Sequence, residues 1–138
     1  MSVIVPAHNE EMWVIDSVKS VLNLNYPEFE LIIVEDGSTD RTFELLDNLF
    51  NLKSINLAYV PHHKTGRVYD ILKSSNYPNV TVVRKETGQK KAGAVNAGLN
   101  IARHDYVCVM DADTVLEQDS LLKVMAQVNK DPEKIIGV

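Results

Sequence analysis

Three times in this chain a short apolar run of strand length stops at a tight polar cluster. Val3-Ile4-Val5-Pro6 runs into Ala7-His8-Asn9-Glu10, Glu30-Leu31-Ile32-Ile33-Val34 into Glu35-Asp36-Gly37-Ser38, and Tyr106-Val107-Cys108-Val109-Met110 into Asp111-Ala112-Asp113. Between these runs apolar residues recur at helical spacing, as in Val14, Val18, Val21 and Leu22. Strands alternating with helices in this way predict an α/β fold with a doubly wound, mostly parallel sheet. The uninterrupted apolar run at 31–34 suits a strand covered on both faces. Ligands of such sheets bind beyond the carboxyl ends of the strands. The three polar clusters are therefore expected to share one rim.

Taken in order, the chain predicts a strand at 2–6 and a helix that Asn9 caps, with Glu10 and Glu11 suiting its positive end. A break at 23–27 leads to the strand at 30–34. A helix follows over about 41–50, with Phe43, Leu46 and Phe50 on one side, and then a weak strand over 55–60. The connection from Pro61 to Pro78 is basic at first and then carries Val68, Ile71 and Leu72 at helical spacing, which predicts a loop holding one short helix. Long connections inside compact domains are often functional. A strand over 80–83 and a small-residue helix from Thr87 through Ile101 precede the strand that delivers the Asp pair, expected at the centre of the sheet. A helix with Leu121, Leu122, Val124, Met125 and Val128 comes next, and Ile135-Ile136-Gly137-Val138 begins like another strand. There is no internal repeat, low-complexity tract or linker.

A length of 138 residues fits one domain. The net charge of −5 and the lack of a basic stripe argue against a nucleic-acid partner. No apolar run approaches the ~20 residues that span a bilayer. The single cysteine, Cys108, lies in an apolar run and is expected to be an inert thiol.

The clusters suggest specific chemistry. With only Ala112 between them, Asp111 and Asp113 offer hard oxygens to Mg²⁺ or Mn²⁺, and the cation would hold a phosphate. If the extended backbone continues, both side chains point to one side. An Asp pair that merely ends a strand and caps the next helix is the plainer alternative. Asp36 can accept hydrogen bonds from the N–H groups of a nucleobase, and Gly37 allows close backbone approach; the alternative there is a turn and helix cap. Lys91 opens a helix, where its ammonium and free backbone N–H groups could meet a diphosphate; a solvated lysine is the plainer alternative. His8, His62, His63 and His104 lack metal-ligand spacing and read as surface or turn residues. Trp13 and the tyrosines read as packing and surface residues and not as a sugar platform, with both readings open for Tyr69 in the long connection.

Together, Val3-Ile4-Val5-Pro6-Ala7-His8-Asn9-Glu10, Glu35-Asp36-Gly37-Ser38-Thr39-Asp40, Lys91-Ala92-Gly93-Ala94-Val95-Asn96-Ala97-Gly98 and Asp111-Ala112-Asp113 resemble, in order and spacing, the inverting family 2 glycosyltransferases. The resemblance covers essentially the whole chain. The long connection closed by Tyr77-Pro78-Asn79 is similar to the membrane-embedded members that make polysaccharides such as poly-N-acetylglucosamine and hyaluronan. The resemblance implies a GT-A fold, a UDP-sugar donor, a glycan acceptor, and Mg²⁺ or Mn²⁺ bridging the diphosphate. By position it implies that Pro6, Ala7 and Glu10 line the nucleotide-sugar pocket and that Asp36 binds uracil. Lys91 would lie near the nucleotide, Asp111 near ribose, sugar and metal, and Asp113 on the metal.

Two departures stand out. Many polymer-forming relatives carry Asp where this chain has Gly93, and Gly-Gly where it has Gln89-Lys90. Family members also continue into a second half that supplies the acceptor surface, the catalytic base and a Gln-x-x-Arg-Trp-type segment. Residues 1–138 thus read as a single truncated donor-binding domain with no catalytic base of its own, the base being expected beyond Val138. Such a piece is expected to be soluble and nearly inactive alone, and to self-associate through an exposed apolar edge. The longer protein would sit at the cytoplasmic face of a membrane through segments outside this stretch. Two rival readings are a phosphoacceptor receiver domain, which would need an acidic pair after the first strand, and a nucleotidyltransferase, which would need a Gly-rich basic loop there. The chain has Pro6-Ala7-His8-Asn9 at that point.

Overall fold

A computed structural model describes residues 1–132. The elements are β1 (Ser2–Ala7), α1 (Val14–Leu22), β2 (Glu30–Asp36), α2 (Thr42–Phe50), β3 (Leu52–Ser54), β4 (Val68–Ser74), β5 (Val80–Lys85), α3 (Lys90–Leu99), β6 (Val107–Val109) and α4 (Ser120–Val128). The strands form one six-stranded sheet in the order β3-β4-β5-β2-β1-β6. β1 pairs in parallel with β2 and β6, and β2 with β5, whereas β4 runs antiparallel to both β3 and β5. The sheet is mixed and mostly parallel, as the alternation of runs predicts.

Alternation along the buried strands sorts their side chains between two cores. Val3, Val5, Leu31, Ile33, Val80 and Val82 face α1, α2 and α4, joining Val14, Val18, Leu46, Phe50 and Leu121. Ile4, Ile32, Val34 and Val83 face α3 and meet Ala94 and Ala97. The small residues of α3 permit this approach: a β-carbon added at Gly98 would lie 2.6 Å from Ile4 Cγ2. Helices therefore cover both faces, and the continuous apolar run of β2 is explained.

Several sequence expectations need correction. Among the described residues β6 lies at the edge of the sheet and pairs only with β1, with Val107 and Val109 exposed. The third strand is Leu52–Ser54 and not 55–60: Leu52 is buried in the core, while Leu57 and Val60 are exposed. The helix expected within 61–78 is instead strand β4. A register shift between Val68 and Asp70 breaks the two-residue alternation, so Val68, Ile71 and Leu72 imitate helical spacing. The first helix begins at Val14, and Asn9 does not cap it. The expected strand at 135–138 lies outside the described residues. No described helix is long and apolar enough to cross a membrane.

Candidate functional site

Parallel pairing brings the carboxyl ends of β1, β2, β5 and β6 to one rim. Ala7 is in register with Glu35, and Asp36 with Lys85. The loops leaving β1 and β2 are stapled together by Asn9, which adopts a left-handed backbone with φ 53°. The Asn9 side-chain oxygen accepts from the backbone N–H groups of Thr39 at 2.8 Å and Asp40 at 3.3 Å, and its own N–H donates to Ser38 Oγ at 3.0 Å. The neighbouring Glu10 N–H donates to Thr42 Oγ1 at 2.9 Å. These bonds fix Glu10 at the mouth of the rim.

β6 ends at Val109, and the chain turns, with the Thr114 N–H donating to the Asp111 carbonyl at 3.0 Å. The extended geometry expected across the Asp pair is therefore absent. The outcome is the same by another route: Ala112 is buried in the core cluster, which leaves Asp111 and Asp113 exposed on either side of it. The pair also caps no helix, since α4 starts at Ser120 with Asp119 before it.

An open cleft of about 420 Å³ lies on this rim, lined by Pro6, Ala7, Glu10, Asp36, Lys91, Asp111 and Asp113 together with His8, Thr87, Lys90, Ala94 and Ala112. Every residue named for the site from the sequence lines it. Lys91 is ion-paired with Asp111, both side chains more than half exposed. Burial first, and then the negative charges of Asp113, Asp40 and Asp111, push the Glu10 carboxyl above its usual range, against an opposing contribution from His8. Glu10 and the Asp pair thus share a region of negative potential that favours a cation. Among the described residues no group of three His, Cys, Asp or Glu side chains is arranged to hold a metal by itself.

Sequence reasoning gave no site role to three polar lining residues, His8, Thr87 and Lys90. His8 is exposed in a turn, as expected, yet its Nδ1–H donates to the Asp36 carbonyl at 2.7 Å and ties the ends of β1 and β2 together. Thr87 lies in the turn that enters α3, and Lys90 is the first residue of that helix. Behind the wall, Lys85 is fully buried and ion-paired with Asp36. The only signal for it was a lysine closing an apolar run, and reading that required the register of β5 on β2. Cys108 is half-buried, and burial pushes its thiol up, in keeping with an inert group.

With this geometry in view, comparison with known proteins decides the family. The family model described as "Glycosyl transferase family 2" matches residues 2–138. The chain belongs to glycosyl transferase family 2. A poly-beta-1,6-N-acetyl-D-glucosamine synthase of Staphylococcus epidermidis is 32% identical over 133 residues, covering 96% of this chain and 26% of that relative. The family 2 chain thus spans about a quarter of the length of that curated relative. Among solved structures, S. aureus TarS 1–349 in complex with UDP-GlcNAc aligns with a TM-score of 0.65 at 25% identity, covering 94% of this chain and 31% of that one. The mannosyltransferase PcManGT of Pyrobaculum calidifontis, in complex with GDP-Man and Mn²⁺, aligns with a TM-score of 0.70 at 22% identity, covering 92% and 31%. This last likeness bears on the fold alone, and it agrees with the GT-A architecture expected from the sequence.

Proposed function

We propose that this family 2 chain binds a UDP-sugar donor together with Mg²⁺ or Mn²⁺ in the rim cleft, as the donor side of an inverting sugar transfer to a glycan acceptor. The observation that carries the reading is convergence: four separate segments bring Glu10, Asp36, Lys91, Asp111 and Asp113 to one cleft. The donor set suits a hard cation. Asp113 and Asp111 supply carboxylate oxygens, and ions of this kind keep waters and take substrate phosphates in their remaining positions. When bound, the cation offsets the charge that grows on the departing diphosphate oxygen.

The chain's own residues divide the remaining work. Asp36 accepts the ring N–H of uracil. Lys91, beside Asp111 at the start of α3, brings positive charge to the diphosphate, where the free backbone N–H groups of the helix add to it. Pro6, Ala7 and Glu10 form the wall along the nucleotide. An acceptor hydroxyl attacks the sugar's anomeric carbon on the face opposite the leaving UDP, its proton passing to a general base as the bond to UDP breaks, and the configuration inverts. The UDP-GlcNAc complex of TarS supports a UDP-sugar, and the poly-N-acetylglucosamine synthase relative supports a glycan product.

Calorimetry with UDP and Mn²⁺ tests the reading. UDP binding should depend on the metal, and Asp113→Ala should remove that dependence. Equal UDP affinity with and without metal would contradict it.

A further inference from the structure

The side chain of Lys85 is entirely buried at the end of β5, opposite Asp36 of β2. Its ammonium is ion-paired with Asp36 Oδ1 and donates to the Glu86 carbonyl at 2.6 Å. Stability alone does not call for a lysine here. Val80, Val82 and Val83 of the same strand are buried apolar residues, and a buried ion pair is commonly no more stabilising than apolar side chains of the same volume.

The cation is walled in from behind by two glycines. A β-carbon at Gly66 would lie 3.5 Å from Lys85 Cε, and one at Gly93 would lie 3.9 Å from its Nζ. The segment carrying Gly66 is tied across α3. Thr65 Oγ1 donates to the Gly93 carbonyl at 2.9 Å, Asn96 Nδ2 donates to the Lys64 carbonyl at 2.6 Å, and Asn100 Oδ1 accepts from the N–H groups of His62 and His63. Part of the long connection singled out in the sequence therefore forms the back wall of this lysine.

Asp36 is held twice as a result. His8 fixes its backbone carbonyl, and Lys85 takes Oδ1 from the side away from solvent. No described group bonds to Oδ2, yet no buried side-chain oxygen lacks a partner, so Oδ2 is the atom open to solvent. Asp36 itself lines the cleft.

We propose that Lys85 is a positioning residue for base recognition. It holds the Asp36 carboxylate so that one oxygen faces the cleft for the single ring N–H of a uracil-type base, without touching the ligand itself. The proposal rests on the reading of the cleft as a UDP-sugar site.

The test compares UDP, N3-methyl-UDP (which lacks that N–H) and inorganic diphosphate, each with Mn²⁺, on the wild-type chain and on Lys85→Met. Loss of one well-placed hydrogen bond to a charged group corresponds to a factor of about ten in affinity. The wild type should prefer UDP over N3-methyl-UDP by that factor. Lys85→Met should lose the preference while its affinity for diphosphate stays unchanged. Unaltered UDP preference in the variant overturns the proposal, and so does an equal loss of UDP and diphosphate binding, which marks a merely structural lysine. Should Lys85→Met fail to fold, Lys85→Gln, which is neutral and one bond too short to reach Asp36 Oδ1 but still offers the buried pocket a polar head, carries the same test. Unaltered UDP preference in that variant overturns the proposal. Absence of UDP binding by the wild type refutes the functional reading itself, a different result from a wild type and variant that bind alike.

Discussion

The two rims of the sheet hold their charges in opposite ways. At the amino ends of the strands, Glu30 is buried and saturated: it accepts from Ser2 Oγ at 2.7 Å, from the Arg103 N–H at 2.7 Å and from Arg103 Nε at 2.9 Å. Burial opposes ionisation of Glu30, but these bonds together outweigh it and hold the carboxyl below its ordinary value of 4.5. At the carboxyl ends, Glu10 is pushed the other way by burial and by Asp113, Asp40 and Asp111. One rim uses its acid to close the fold. The other keeps acids close together without enough cations to match, which is the condition of a site awaiting a positive ligand.

The sharpest way to break this contrast is to remove one acid from each rim. Glu30→Ala should cost about 3 kcal/mol of stability, because it strands donors that now share one buried carboxylate. It should leave UDP affinity intact; denaturant unfolding and calorimetry together check both halves. Asp113→Ala should do the reverse, abolishing metal-dependent binding with little change in the unfolding midpoint.

Acid titration sharpens the contrast next. The stabilisation from Glu30 is fully present above its unfolded value, near 4.5, and fades as pH falls through the lower folded value. Wild type should therefore lose stability below about pH 4.5 more steeply than Glu30→Gln in urea melts across that range. Lys91→Met comes next in size. Its ion pair with Asp111 is largely exposed, so stability should barely move, while affinity for diphosphate with Mn²⁺ should fall about tenfold. The smallest effect belongs to Glu10→Gln. A carboxyl whose folded value is raised opposes folding once ionised, so the amide should raise neutral-pH stability by about 0.5 kcal/mol or less after solvent screening.

The sequence made the site rim more legible than the sheet's far side. The ends of β1, β2 and β6 could be read to within two residues because apolar runs stop at Pro6, Val34 and Met110 and parallel topology forces them together. All seven residues named in advance line one cleft. β4 was illegible because its register shift hid the two-residue period and left a helix-like spacing at Val68, Ile71 and Leu72. The place of β6 at the edge of the described sheet could not be read either, since Tyr106 to Met110 is as apolar as a central strand, and only the pairing of the described residues shows it. Asn9 looked like a helix cap because its side chain does accept backbone N–H bonds. Those bonds come from Thr39 and Asp40 on another loop. Lys85 lay beyond reach for a similar reason, as its partner is 49 residues away.

The most direct measurement places a paramagnetic ion on one rim. With UDP and Mn²⁺ added to the ¹⁵N-labelled chain, amide signals around Asp111 to Asp113 and at the start of α3 should broaden, while those of Glu30 and Arg103 remain sharp. Broadening centred on the Glu30 rim, or spread evenly over the surface, would contradict the assignment of the cleft as the donor and metal site.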